Sequence, residues 1–357
     1  MVNGQVRNEL RDLKIKLQNI EAKANAIILS LDPFTFQQFE SRFFYPRENK
    51  SSVFLYLQRE IELASKEDRI GSMKMAESSL RSIKVFARKR ELSFSDITVD
   101  WLKSYERDMI SKGRSKTTVG MYLRVLRVVF HKAMVDSIVS RELYPFGKYK
   151  YEIPSGINLK KALQLIDLIK IRDCKLEPGS KKEWARDMWL FIYLCNGINP
   201  KDVANLRYEN VGPNSITFIR AKTKHSKKNL KPVVIPLIDP IRKIIVRWGN
   251  KNYGPDDYVF NILKPGLNPL QIYNRAHDFY SKMNAEMKEI AEELGISDQV
   301  TTYVARHSYA TVMKHNGASR EIISESMGHS NIHTTDRYLA SFELDTMTEW
   351  NNKLLDF

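Results

Sequence analysis

The sequence predicts a mainly α-helical chain of two domains, with a small β-hairpin in the second. Three observations carry this. Apolar residues recur at three- and four-residue steps along most of the 357 residues, the period of a buried helix face. Two short β-branched runs, 216–220 and 233–237, break that rhythm and flank a lysine-rich stretch, as a hairpin would. At about 150 residues per domain the length supports two or three domains, and proline–glycine breaks at 144–147 and 154–156 place a linker over 147–158.

Taken in order, Leu10, Leu13, Leu17, Ile20, Ala24 and Ile27 predict one amphipathic helix within 1–48, ended by Asp32-Pro33. Its apolar face is too short for a coiled coil and calls for docking on a neighbouring domain. Residues 49–146 predict a helical bundle. Phe54, Leu57, Ile61 and Ala64 make one stripe, and Met75, Leu80, Ile83, Val85 and Phe86 another. Asp100 is the expected cap of a helix carrying Trp101, Leu102, Tyr105 and Met109, which Lys112-Gly113 closes. Ser115 or Thr117 then caps a long helix through Phe130. Beyond the linker, 159–341 predicts helices near 160–171, 180–195, 239–249, 270–295 and 302–317 around the hairpin. A tail helix over 342–357 places Leu344, Met347, Trp350 and Leu354 on one face.

The chain has 57 basic and 42 acidic side chains, a formal charge of +15, with 43% hydrophobic residues. That is a globular composition with an excess that calls for a polyanionic partner. The excess is uneven: +1 over 1–48, +9 over 49–150 and +5 over 151–357. No acid lies between Glu209 and Asp239, a stretch holding Arg220, Lys222, Lys224, Lys227, Lys228 and Lys231. No apolar run approaches the roughly 20 residues of a membrane span, and no secretory signal is present. Two cysteines, Cys174 and Cys195, fit reduced, buried thiols in a cytoplasmic protein. Arg114, Lys116, Thr117, Arg124 and Arg127, at the start and polar side of the long helix, and Lys224 of the hairpin loop are the expected phosphate contacts.

Nucleotide-binding glycine loops are absent, and Ser330 between His329 and His333 lacks the glutamate of a zinc protease motif, so neither metal nor cofactor is expected. The C-terminal third carries another pattern. Residues 301–311 run TTYVARHSYAT, 327–338 run MGHSNIHTTDRY, 196–208 run NGINPKDVANLRY, and Lys222-Thr223 follows the first β-branched run. On these four boxes, in order and at fitting spacings, the chain resembles the tyrosine recombinase, or phage integrase, family over about 50–345. The resemblance implies a two-domain DNA clamp, with a helical core-site-binding domain followed by an integrase-type catalytic domain. It also makes 1–48 a connector or remnant of an arm-binding domain.

The implied chemistry is DNA cleavage and rejoining without metal or ATP, through a 3′-phosphotyrosyl intermediate. Tyr338 is the implied nucleophile, since covalent catalysis divides one hard step into two reversible ones. Arg306 and His329 would donate to the non-bridging oxygens, and Lys222 would protonate the leaving 5′ oxygen. His307 follows Arg306 in the second box. Two slots depart from the family pattern. Asn199 occupies the place of the first-box arginine, for which Lys201 is the nearest cationic substitute. Tyr303 stands where histidine or lysine is usual, and a phenol can still donate to a phosphate oxygen. Bacteroidetes-type mobile-element integrases look similar in both slots.

The expected activity is therefore site-specific recombination in the integration or excision of a mobile element. The expected partner is double-stranded DNA, with monomers in solution assembling into a homo-tetramer on synapsed DNA and accessory DNA-bending factors as further candidates. The alternatives are a DNA-binding member that has lost catalysis, and a type IB topoisomerase-like relaxation of DNA.

Overall fold

The computed structural model describes residues 2–29, 31, 33–36, 39–40, 43, 51–156, 162–221, 231–251, 253–297, 299–329 and 332–339. The chain divides into two compact units, 1–156 and 157–357.

The first unit opens with helix α1, Val2–Leu29. Its expected apolar stripe forms, but Leu10, Leu13, Leu17 and Ile20 are all half-exposed or more, so no described residue covers it. The bundle follows: α2 (Val53–Lys66), α3 (Ile70–Ala87), α4 (Val99–Ser111) and α5 (Lys116–Val135). Leu57, Ile83, Leu102, Leu123, Leu126 and Phe130 interlock in its core. Val85, expected in the α3 stripe, points outward, and the core uses Ala76, Leu80 and Ile83 of that helix instead. The cap of α4 is Thr98, whose Oγ1 accepts from Trp101 N at 3.1 Å. Asp100 lies inside the first turn, where its charge still favours the helix dipole. Ser115 caps α5, accepting from Thr118 N at 3.2 Å. Phe146 and Tyr151, within or beside the segment read as linker, are buried in this core.

Tight backbone approach then fixes where the chain leaves the bundle. A side chain at Gly120 would meet the Pro154 carbonyl at 2.2 Å, and one at Gly156 would meet Thr117 Oγ1 at 2.1 Å. The strand of chain at 154–156 therefore lies directly on the first turns of α5.

The second unit contains α6 (Leu165–Asp173), α7 (Lys181–Leu194), α8 (Pro200–Asn205), strands β1 (Ser215–Phe218) and β2 (Val233–Pro236), α9 (Asp239–Trp248), α10 (Pro269–Glu293), α11 (Thr302–His315) and α12 (Arg320–Ser326). The strands pair antiparallel with Ile216 opposite Ile235, as the β-branched runs predicted. Helix α7 is central: Ala185, Met188, Trp189, Phe191 and Ile192 are fully buried. Its acids are buried too. Asp187 accepts from Arg186 Nε at 2.7 Å, Arg247 Nη1 at 2.8 Å and Trp248 Nε1 at 2.8 Å, which locks α9 onto α7. Trp189 Nε1 donates to the Thr301 carbonyl at 2.9 Å and so fixes the entry to α11.

Candidate active site

Helix α11 carries the second box and is buried along nearly its whole length, including its polar members Thr302, Arg306, His307, Ser308 and Thr311. Polar groups buried in this way must be satisfied internally. Arg306 does so by donating to the Gly197 carbonyl, to the Met327 carbonyl at 3.1 Å and to His329 Nε2 at 2.8 Å. Gly197, at φ +64°, makes this possible, since a Cβ there would sit 2.9 Å from Arg306 Cγ. Burial pushes the Arg306 pKa down, the neighbouring Tyr338 opposes this, and repulsion from Arg220 adds to it. An arginine stays protonated through such shifts. The result is a fixed, desolvated guanidinium.

Arg220, two residues beyond β1, grips the same turn from the other side. Its Nη1 donates to the Gly328 carbonyl at 2.9 Å, beside the Met327 carbonyl held by Arg306. Gly328, also at φ +64°, leaves room for the arginine stem: a Cβ would meet Arg220 Cδ at 2.8 Å and Val233 Cγ2 at 2.5 Å. Buried Asp202 secures the strand end by accepting from Ala221 N at 2.8 Å and facing Arg220 Nε at 3.8 Å. Burial raises the Asp202 pKa, against the opposing pull of the Ala221 amide, Arg220, Arg306 and Lys201. Arg220 and Arg306 both line a small cleft with Asn196, Asn199, Asp202 and Met327.

Tyr338 follows a 3₁₀ turn, Ile332–Arg337. Its backbone is held at both ends. Its N–H donates to the Thr335 carbonyl at 2.8 Å, while its carbonyl accepts from His307 Nδ1 at 3.2 Å and Thr311 Oγ1 at 3.4 Å. Its ring lies 5.1 Å from the Arg306 guanidinium carbon, 5.2 Å from the His329 ring, 4.8 Å from His307 and 5.9 Å from Tyr303. Tyr303 itself is nearly half-exposed, with its ring 4.4 Å from that of His307.

Tyr303, Arg306, His307, His329 and Tyr338 thus lie together, and His307 holds the Tyr338 backbone. The first-box slot differs. Asn199 caps α8 by accepting from Lys201 N at 3.0 Å, and the Lys201 side chain is exposed. The second guanidinium in the cleft comes instead from Arg220, which in sequence is only one more cation in a basic run. Gly197 and Gly328 gave a signal in advance, as glycines flanking two of the boxes. Lys222 and Lys224 lie outside the described residues, as does the tail 342–357. Among the described residues no cluster of potential metal ligands occurs and no helix is long and apolar enough to cross a membrane. In the first unit, Arg114, Lys116, Thr117, Arg124 and Arg127 are all exposed at the start and along one side of α5.

Comparison with known proteins places this geometry. The Phage integrase family matches residues 160–344, and the Phage integrase SAM-like domain matches 52–153. Tyrosine recombinase XerD of Listeria monocytogenes serotype 4b (strain F2365) is 27% identical over 233 residues, covering 64% of this chain and 72% of its own. XerD of Staphylococcus aureus (strain Mu50 / ATCC 700699) is 24% identical over 238 residues, covering 64% and 74%. Among solved structures, a Tn1549 transposon integrase in complex with transposon right end DNA aligns with TM-score 0.58 at 15% identity, over 85% of this chain and 99% of that one. A lambda integrase dimer bound to a COC′ core site aligns with TM-score 0.55 at 12% identity, over 82% and 80%. With three of its four sequence boxes gathered around one buried arginine and both domain families matched in order, the chain belongs to the phage integrase family of tyrosine recombinases.

Proposed function

We propose that this recombinase integrates or excises a mobile DNA element, with Tyr338 as the nucleophile. The observation that carries the assignment is the placement of the Tyr338 ring against the Arg306 guanidinium, at 5.1 Å, and the His329 ring, at 5.2 Å. In this reading the Tyr338 phenol gives up its proton to water as its oxygen attacks the scissile phosphorus, a phosphotyrosyl bond forms at the 3′ end, and the bond to the 5′ oxygen breaks. Lys222 gives that oxygen a proton. Rejoining reverses each step when a 5′ hydroxyl from the partner strand attacks the phosphotyrosine.

Charge accumulates on the non-bridging oxygens in the five-coordinate state, so fixed donors there contribute most. Arg306 and His329 are two. Arg220 supplies the guanidinium that Asn199 lacks, because it shares the cleft with Arg306 and is held by Asp202 and the Gly328 carbonyl. Lys201, exposed on α8, does not fill that role. Tyr303 contributes a phenol donor at the open side of the site.

The clamp is assigned to double-stranded DNA, with Arg114, Lys116, Arg124, Arg127 and Lys224 on phosphates and Thr117 beside them. Four copies act together on synapsed DNA in the cytoplasm, assembled from monomers. The test is a denaturing gel after incubation with suicide substrates carrying the element ends. A covalent adduct that persists in EDTA and disappears in Tyr338→Phe is expected. Binding without any adduct would instead identify a protein that has kept the fold and lost catalysis.

A further inference from the structure

We propose that Thr335 lets His329 exchange its proton between the two ring nitrogens when a phosphate enters, by pairing with Nδ1 in either tautomer and so acting as a positioning residue for that imidazole. The inference rests on the phosphoryl-transfer reading above. A guanidinium has five donors and no acceptor, so the 2.8 Å contact from Arg306 Nη2 makes His329 Nε2 an acceptor. The neutral ring therefore carries its proton on Nδ1. Thr335 Oγ1 lies 2.9 Å from that atom and accepts it.

This arrangement is the wrong one for chemistry. A phosphate oxygen is an acceptor, and the Nε2 lone pair would face it unfavourably. To stabilise the phosphate, His329 must present N–H at Nε2 and leave Nδ1 bare. The ring is singly protonated in both states: Nε2 takes a proton from solvent, and Nδ1 gives one up when its contact to Thr335 transiently opens. A hydroxyl is suited to both states, since it accepts from Nδ1–H in one and, after rotating, donates to Nδ1 in the other.

Three further observations support the assignment. Thr335 is completely buried, so water cannot easily stand in for its hydroxyl. Its carbonyl accepts from Tyr338 N at 2.8 Å, so the same residue holds the nucleophile and orients its neighbour. The adjacent carboxylate, Asp336, faces Arg320 at 3.3 Å and His333 at 3.5 Å. An aspartate on Nδ1 would bind the Nδ1–H form and hold it there; a threonine does not. Among the described residues, the Arg306 guanidinium and the Tyr338 ring also face His329, with Arg220 on the carbonyl of the preceding Gly328.

The test is ring-nitrogen NMR of the full chain labelled with 15N-histidine, with His329→Gln assigning the signals and inorganic phosphate as the probe. The phosphate-free protein is expected to show His329 protonated at Nδ1, and saturating phosphate is expected to move the proton to Nε2. Thr335→Ser should repeat both states and keep adduct formation within about twofold of wild type. Thr335→Val leaves Nδ1 without its partner in either state, so it should blunt the phosphate-induced change of tautomer and form adduct about tenfold more slowly. A wild-type ring that stays protonated at Nδ1 in phosphate, or a valine variant with an unchanged phosphate response and rate, overturns the proposal. The wild-type titration needs no variant, so misfolding of Thr335→Val leaves a decisive result. An intact tautomer change in a protein that forms no adduct on DNA would count against the recombinase reading alone.

Discussion

Arg220 and Arg306 hold successive carbonyls of the turn 327–328, so each residue there can be interrogated singly. Arg220→Ala should slow single-turnover cleavage by about 10²–10³, or roughly 3–4 kcal/mol, the usual loss of one transition-state donor. DNA binding measured by gel shift should stay within a few-fold. Adding Asn199→Arg to that variant should restore part of the rate, because it returns a guanidinium by the family's other route. Full activity in Arg220→Ala would return the question to Lys201. Gly328→Ala should be destructive for two reasons, the positive φ and the missing space over Arg220, and thermal melting together with cleavage will register both. At this scale the sequence was legible where positions follow a linear motif: Arg306, His307, His329 and Tyr338 lie together in the structure. Arg220 was not, because its proposed role depends on a turn more than 100 residues later, and nothing in a basic run marks which cation faces inward.

Helices set those positions, and the strength of the scaffold can be measured away from the site. Asp187 joins α7 to α9 through three donors while nearly fully buried. Asp187→Ala should cost about 3 kcal/mol in urea unfolding, at the low end of a broken buried pair because Arg247 is half-exposed. Thr98→Ala should cost about 1 kcal/mol through loss of the α4 cap, and Asp100→Asn clearly less. That ordering separates Thr98 from Asp100, the cap expected from the sequence: both are good capping types, and only backbone geometry tells which sits outside the helix. Long helices were legible from their apolar period. Helices α8 and α12, of 6 and 7 residues, span two turns or fewer and cannot show one. The α1 stripe was read correctly as a pattern, but no described residue covers Leu10, Leu13, Leu17 and Ile20.

For the whole molecule, net charge separates two functions. Most of the excess, +9 of +15, lies in 49–150, where it should supply sequence-independent affinity that falls with salt. Arg124→Ala with Arg127→Ala should weaken binding across all duplexes and flatten the slope of log K against log salt by about 2, while bound complexes still cleave. Lys222→Ala should do the opposite, leaving affinity near wild type and stalling cleavage. Deleting 342–357 should abolish tetramers on DNA while leaving monomer binding, as read by sedimentation; intact assembly would reject a docking role for that tail.

Arg220 and Lys222 are separated by one residue in the sequence, so the proposed charge stabiliser, held two residues beyond β1, and the proposed proton donor are closely tethered. In the proposed mechanism they are therefore not independent parts. Any motion that lifts this strand from the Gly328 turn withdraws both at once, whereas a cation at position 199 would have stayed behind with α8. The enzyme would then pass between competent and incompetent states as one cooperative step, with no half-armed state to nick DNA slowly. Lengthening the hairpin by flexible residues between Ala221 and Lys222 would uncouple the pair, and accumulation of slow, unsynchronised nicks is the expected signature.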